Sequence, residues 1–175
     1  STFLNAGSWT APANTNNTSI NSERGWMLFV RGDRKNYGQI TNQYKTPTIT
    51  TLRPRGQLNI GSVTIPSSGT LSGIQIVGNP YASAVDFNAI TTTGGVVNNK
   101  YWVWDPQLGG AMGVGSFVAL TRSGGSYVRS APITGAGTST YDDVYIPSGA
   151  AIMVDFGTGG TITFDEADKS TTNTT

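Results

Sequence analysis

Apolar residues come in short runs, and Gly, Pro and Asn separate the runs. Trp26 to Val30 is one such run. Gln57 to Ile65 is another, with Leu58, Ile60, Val63 and Ile65 apolar and a change of parity after Gly61 that predicts a bulge. Thr70 to Val77 alternates between Leu71, Gly73, Gln75 and Val77 on one side and Ser72, Ile74 and Ile76 on the other. Tyr101 to Trp104, Ser116 to Leu120, Tyr127 to Val128, Ala151 to Phe156 and Thr161 to Phe164 complete the set. A period of two marks strands, whose successive side chains point to opposite faces. The long stretch free of Gly and Pro, Ala82 to Thr93, places Val85, Phe87 and Ile90 without a helical stripe, so at most one helical turn is expected there.

Strands recurring about every 10 to 15 residues, with turn signals between them, predict a sandwich or barrel rather than alternating strand–helix units. Gly-Gly pairs at 94–95, 109–110, 124–125 and 159–160 supply turns. The expected fold class is all-β: an antiparallel β-sandwich, jelly-roll-like or Ig-like, with little or no helix. Residues 1–175 are read as a single domain with a loose loop at 12–22 and a linker stub at 170–175. Ser1 does not look like a natural start, so the chain is read as an excerpt from a longer precursor.

Composition narrows the function classes. Only 12% of residues are charged and the formal net charge is +1. Binding to a phosphate backbone is driven by dense Lys and Arg clusters, which this chain lacks, so nucleic acid is not an expected partner. No run approaches the roughly 20 apolar residues of a membrane span, and membrane insertion is not expected. The polarity comes from Thr, Ser and Asn together with 23 Gly. That mixture suits a β-rich protein working outside the cell.

Catalysis has few means here. There is no His and no Cys, which removes the Ser-His-Asp and Cys-His arrangements and the usual zinc ligands. Ten Asp and Glu remain, enough in number for a glycosidase pair. Asp86 and Asp105 stand beside aromatics, but both read first as turn residues, and Pro106 follows Asp105 directly. No cofactor is expected. Calcium is the one metal with candidate ligands: Asp142, Asp143, Asp165 and Glu166 form the densest acidic spots, without the spacing of a dedicated calcium loop. Arg31-Gly32-Asp33 reads as a charged turn after a strand. Lys100 beside Asn98 and Asn99 has the residue types of a Lys–Asn crosslink, although sequence neighbours rarely meet across strands.

Trp102 and Trp104 point to one face of their strand, and Tyr101 and Val103 to the other. The first reading of the pair is core filler. The alternative is an exposed platform on which sugar rings stack, with Asn79 and Asp105 among the polar groups beside it.

Several segments taken together resemble a known family. They are Gly25-Trp26-Met27-Leu28-Phe29-Val30-Arg31-Gly32-Asp33-Arg34; Thr51-Leu52-Arg53-Pro54-Arg55-Gly56 with Leu58; Gly78-Asn79-Pro80-Tyr81-Ala82-Ser83 with Val85-Asp86-Phe87; Tyr101-Trp102-Val103-Trp104-Asp105; Ile146-Pro147-Ser148-Gly149 with Ile152 and Val154; and Phe164-Asp165-Glu166 with Lys169. In this order they resemble a β-sandwich module of large secreted surface proteins from Bacteroidetes, the type found ahead of type IX secretion sorting domains. The chain departs from it at Ala150, Ala151, Ile152 and Met153, where Gln and large aromatics are usual. The resemblance implies an extracellular or cell-surface location, neighbouring domains in a larger chain and no catalytic set.

The expected function is a non-catalytic structural or adhesive module of a secreted or cell-surface protein. The alternative is a carbohydrate-binding module using exposed aromatics. Its expected partners are a polysaccharide or another surface protein.

Overall fold

The computed structural model describes residues 3–5, 8–10, 13–14, 17–19, 25–26, 28, 48–53, 55–67, 73–105, 108, 115–130 and 145–171. Within them the chain is built of antiparallel strands, and its one helical element is a 3-10 turn, Glu166–Asp168.

The alternating segments become the strands of a five-stranded sheet. Its members are β4 (Ile74–Gly78), β7 (Val97–Asp105), β8 (Ser116–Ser123), β9 (Ser126–Arg129) and β11 (Ala151–Asp155), in the order β4-β11-β7-β8-β9. A second sheet has the order β3-β12-β6, from β3 (Val63–Pro66), β6 (Thr91–Gly94) and β12 (Gly160–Phe164). Two short pairs complete the set: β5 (Val85–Asp86) with β10 (Tyr145–Ile146), and β1 (Phe3–Asn5) with β2 (Ser8–Thr10). The β8–β9 hairpin turns through Gly124 and Gly125, at φ 59° and 91°. A two-residue hairpin that follows the right-handed strand twist needs positive φ at both positions, which glycine supplies without strain.

One hydrophobic cluster takes side chains from both sheets. Val77, Tyr101, Val103, Val118, Leu120, Ile152 and Val154 come from the five-stranded sheet, and Ile65, Ile162 and Phe164 from the three-stranded one. Val85 and Ile146, from the β5–β10 pair, are buried in the same cluster. At one end Phe87, Tyr101 and Tyr127 form an aromatic trio with ring centroids 4.1, 4.9 and 5.2 Å apart. Burial raises the Tyr127 hydroxyl's pKa, and nearby Arg122 pulls the other way. The opposite face of the three-stranded sheet carries Thr64, Thr91, Thr93, Thr161 and Thr163, with Thr64–Thr163 and Thr93–Thr161 hydroxyl pairs at 3.0 and 2.7 Å.

Several expected elements differ. The Gln57–Ile65 strand starts only at Val63, and Leu58 and Ile60 stand 73% and 81% exposed. Side chains tie this stretch instead of a ladder: Asn59 Nδ2 donates to the Pro80 carbonyl at 2.8 Å, and Gly61 N–H donates to Glu166 at 2.9 Å. Gly61, at φ 72°, therefore makes a turn and not a bulge within a strand. Trp26 and Leu28 lie in no strand, and the rest of the Trp26–Val30 run lies outside the described residues. Gly25 N–H donates to the Ile76 carbonyl at 3.4 Å, and a Cβ on Gly25 would collide with Ile76. The stretch 82–93 is free of helix as expected: β5, a single turn closed by Ala89 N–H on the Asp86 carbonyl, and β6 follow one another. The stub at 170–175 begins with a residue that is tied in, since Ser170 N–H donates to the Ala84 carbonyl at 2.8 Å.

Candidate functional site

Strand β7 divides two environments. Tyr101, Val103 and Asp105 face the core at 0%, 7% and 0% exposure. Trp102 and Trp104 face outward, Trp102 half-buried and Trp104 36% exposed. The core-filler reading of the tryptophans is thus overturned. The inner surface is lined by Ile152 and Val154 of β11 and by Val118 and Leu120 of β8, and the register opposes these to Val103 and Tyr101. Tyr, Val, Ile and Leu close that layer, so the indoles take the other side.

The outward side carries partly exposed side chains, and Gly25 lies against its Ile76 end. One cross-strand row runs Ile76, Met153, Trp102, Ala119, all partly exposed. In the neighbouring row Trp104 opposes Phe117, edge to face with centroids 4.9 Å apart. Gly115, at φ 89°, lies against the Trp104 indole so closely that a Cβ would stand 2.6 Å from its ring atoms. Phe117 and Gly115 therefore fix the ring's position. Lys100 completes this side of β7, with its Nζ 5.5 Å from the Trp102 ring centroid, a cation–π distance.

The polar groups predicted beside the platform are elsewhere. Asp105 has the parity of Tyr101 and Val103, is fully buried, and forms an ion pair with Arg129 of β9. A carboxylate at this depth needs such a partner, so it is a structural charge and not a sugar contact. Asn79 is 6% exposed. Its Oδ1 accepts from Tyr81 N–H at 2.9 Å. Its Nδ2 lies 2.8, 2.9 and 3.1 Å from the carbonyls of Ser83, Ile146 and Pro147. Asn79 N–H donates to the Ala150 carbonyl as well. The residue clasps the Gly78–Ser83 loop to the Ile146–Gly149 turn. Every polar atom of its amide is engaged in doing so.

The clasp continues through Tyr81, whose hydroxyl lies 2.6 Å from the Gly61 carbonyl and 2.8 Å from that of Phe164. Burial raises its pKa, reinforced by Glu166, Asp165 and Asp168. Lys169 Nζ lies 4.4 Å from the Tyr81 ring centroid. Asp86 Oδ1 accepts from Asn88 N–H at 2.9 Å and Nδ2 at 3.0 Å, a turn role as expected.

The acidic turn uses its oxygens internally. Asp165 Oδ1 accepts from Ser62 Oγ, and Glu166 accepts from Gly61 N–H through Oε1 and pairs with Lys169 through Oε2 at 2.5 Å. The Lys169 bond, then the Gly61 bond, hold the Glu166 carboxyl below its ordinary pKa. Asp168 is buried and accepts from Asp165 N–H at 2.7 Å. Burial raises its pKa against that bond, with Asp165 and Asp86 adding to the rise. No group of three or more His, Cys, Asp or Glu that could hold a metal ion occurs among the described residues, which include Asp165 and Glu166. Asp142 and Asp143, and Arg31-Gly32-Asp33, lie outside the described residues. Lys100 reaches Trp102 on the outer side of the sheet, away from the buried setting that a Lys–Asn crosslink needs. No helix among the described residues is long and apolar enough to cross a membrane.

Sequence reasoning missed Arg129 as the partner of Asp105. It also missed Phe117 and Gly115 as supports of Trp104. The signal for Phe117 was the alternation of β8, whose Val118 and Leu120 claim the inner side and leave Phe117 outward. No family model, no curated protein and no solved structure matches the chain.

Proposed function

We propose that this chain is a non-catalytic, adhesive module of a secreted or cell-surface protein, and that the outer face of its five-stranded sheet is the adhesive surface, taking a polysaccharide. The carrying observation is the outward placement of Trp102 and Trp104 on one strand. Residues two apart on a strand lie about 7 Å from one another, on the scale of successive sugar rings. Indole faces stack on the C–H faces of sugars, and supported rings lose little entropy on binding.

The non-catalytic part of the reading rests on the acids. Asp86, Asp105, Asp165, Glu166 and Asp168 all hold backbone, hydroxyl or cationic partners of the fold itself. The low charge and the Thr-, Ser- and Asn-rich composition fit an extracellular module, as does the resemblance to secreted Bacteroidetes surface modules. The Asn79 clasp joins two of the segments that carry that resemblance. The chain's neighbours would then be further domains of a larger surface protein.

The test is retention on insoluble plant, algal and microbial polysaccharides, with tryptophan fluorescence recorded on any hit. Binding with a fluorescence change supports the platform. Silence across the panel removes the polysaccharide and leaves a spacer, or a module that adheres to another surface protein.

A further inference from the structure

We infer that the glycan taken by this face is anionic, carrying carboxylate or sulphate groups, and that Lys100 is the contact that selects it. The inference rests on the reading of Trp102 and Trp104 as a sugar platform and adds a chemical class to it.

The placement of Lys100 carries the argument. It precedes Trp102 by two residues, shares its side of β7, and holds its ammonium 5.5 Å from the Trp102 ring centroid. The charge thus stands at the edge of the stacking surface and not at an arbitrary point of the rim. Its cross-strand neighbours are Thr121 on β8 and, beyond it, Val128 on β9, both uncharged. The acid with the same sheet parity, Asp155, has a carboxylate oxygen bonded to Gly157 N–H at 2.8 Å, and that oxygen sits against Gly73. The ion pairs of the described residues are Arg129–Asp105 and Lys169–Glu166, so Lys100 is in neither. Arg122 stands at the Tyr127 ring, 6.0 Å from its centroid, with inner-side parity.

The chemistry then discriminates between ligands. A neutral sugar on the indoles crowds the ammonium and strips part of its water without offering a counter-charge, which costs affinity. A ring bearing a carboxylate or a sulphate ester at its edge, stacked on Trp102 and Trp104, brings an anion to the ammonium and makes a charge-assisted hydrogen bond. Stacking supplies the shared affinity, and the charge supplies the preference.

The experiment is affinity electrophoresis of the whole chain through gels containing a neutral β-glucan, a polyuronate or a sulphated galactan. Wild type, Lys100→Met and Trp104→Ala are compared, with thermal midpoints confirming that each is folded. Retardation by the anionic gels is expected to exceed that by the neutral gel. Lys100→Met should weaken it about three- to fivefold, the scale of one exposed ion pair, and 0.5 M salt should do the same. Trp104→Ala should abolish it. Retardation by only one anionic gel would identify carboxylate or sulphate as the recognised group and support the inference. Equal retardation by neutral and anionic gels, unchanged in Lys100→Met, overturns the inference and leaves the platform standing. Anionic retardation that survives Trp104→Ala overturns it as mere ion exchange. No retardation in any gel removes the platform and the inference together.

Discussion

The loop clasp around Asn79 and the outer face around Trp104 treat their conspicuous residues in opposite ways. In the clasp, Asn79, Tyr81, Asp165, Glu166 and Asp168 turn every named polar contact onto the protein's own backbone and side chains. On the outer face, Trp102, Trp104 and Lys100 are supported from below and from the side but keep surface in water. A buried polar residue such as Asn79, whose amide atoms are all engaged internally, has little left to offer a ligand. A large aromatic ring about a third exposed, and propped there by a phenyl ring and a glycine, still has surface to offer a ligand. The contrast is the ground on which the proposed adhesive surface is assigned to the outer side of the sheet rather than to the clasp.

The widest gap between the two regions should come from the buried charge. Asp105→Ala removes the fully buried carboxylate that pairs with Arg129. A loss of about 3–5 kcal/mol in urea unfolding is expected. A loss below about 1 kcal/mol would show that the pair is not a structural charge.

Asn79→Ala comes next. It removes the acceptor for Tyr81 N–H and the donor shared by the Ser83, Ile146 and Pro147 carbonyls, all in buried or partly buried settings. A loss of about 2–3 kcal/mol is expected, with polysaccharide retention by the folded fraction unchanged. Weaker retention at unchanged stability would move Asn79 from the clasp to the binding face.

The smallest effect is a pH dependence within the acidic turn. Asp168 has a raised pKa in the fold, so its protonated form is favoured there. Its contribution is fully present below its unfolded value of 3.8 and is lost as pH rises through the folded value. Glu166, lowered in the fold, acts the other way. Its contribution is present above its unfolded value of 4.5 and is lost as pH falls through the folded value. Asp168→Asn keeps an acceptor for Asp165 N–H and removes the first of these slopes. Unfolding free energy from pH 3 to pH 7 should therefore rise more steeply with pH in the variant than in the wild type. Parallel curves would mean that Asp168 titrates normally.

These contrasts also show what the sequence made legible. Every strand with a clear apolar alternation was readable, because a period of two is a property of the chain alone. β5 and β10 escaped because two-residue strands have no period, and β6 escaped because Thr91-Thr92-Thr93 alternates nothing. Alternation placed Trp102 and Trp104 on one side of β7 and Tyr101 and Val103 on the other, but the hydrophobicity of indole gave the wrong side to the core. The facing strands decide that question through Ile152, Val154, Val118 and Leu120, and pairing partners are not written locally. Asp105 was hidden in the same way. Its parity with Tyr101 and Val103 marked it as inward, and the turn that Pro106 suggested is present, since Leu108 N–H donates to the Asp105 carbonyl; its Arg129 partner on β9 is what the local sequence does not show. Asn79 stood out in the sequence because the loop it organises is distinctive, and a distinctive loop was mistaken for a ligand contact.

The most direct measurement is a paired one on a single variant, Trp102→Ala/Trp104→Ala: unfolding free energy and retention on the polysaccharide that holds the wild type. Both rings lie on the outer side of a sheet whose core is packed by other residues, so we predict a stability loss of no more than about 2 kcal/mol together with complete loss of retention. Undiminished retention, or a loss near the 3–5 kcal/mol of a deleted core aromatic, would contradict the division between the two sides of β7.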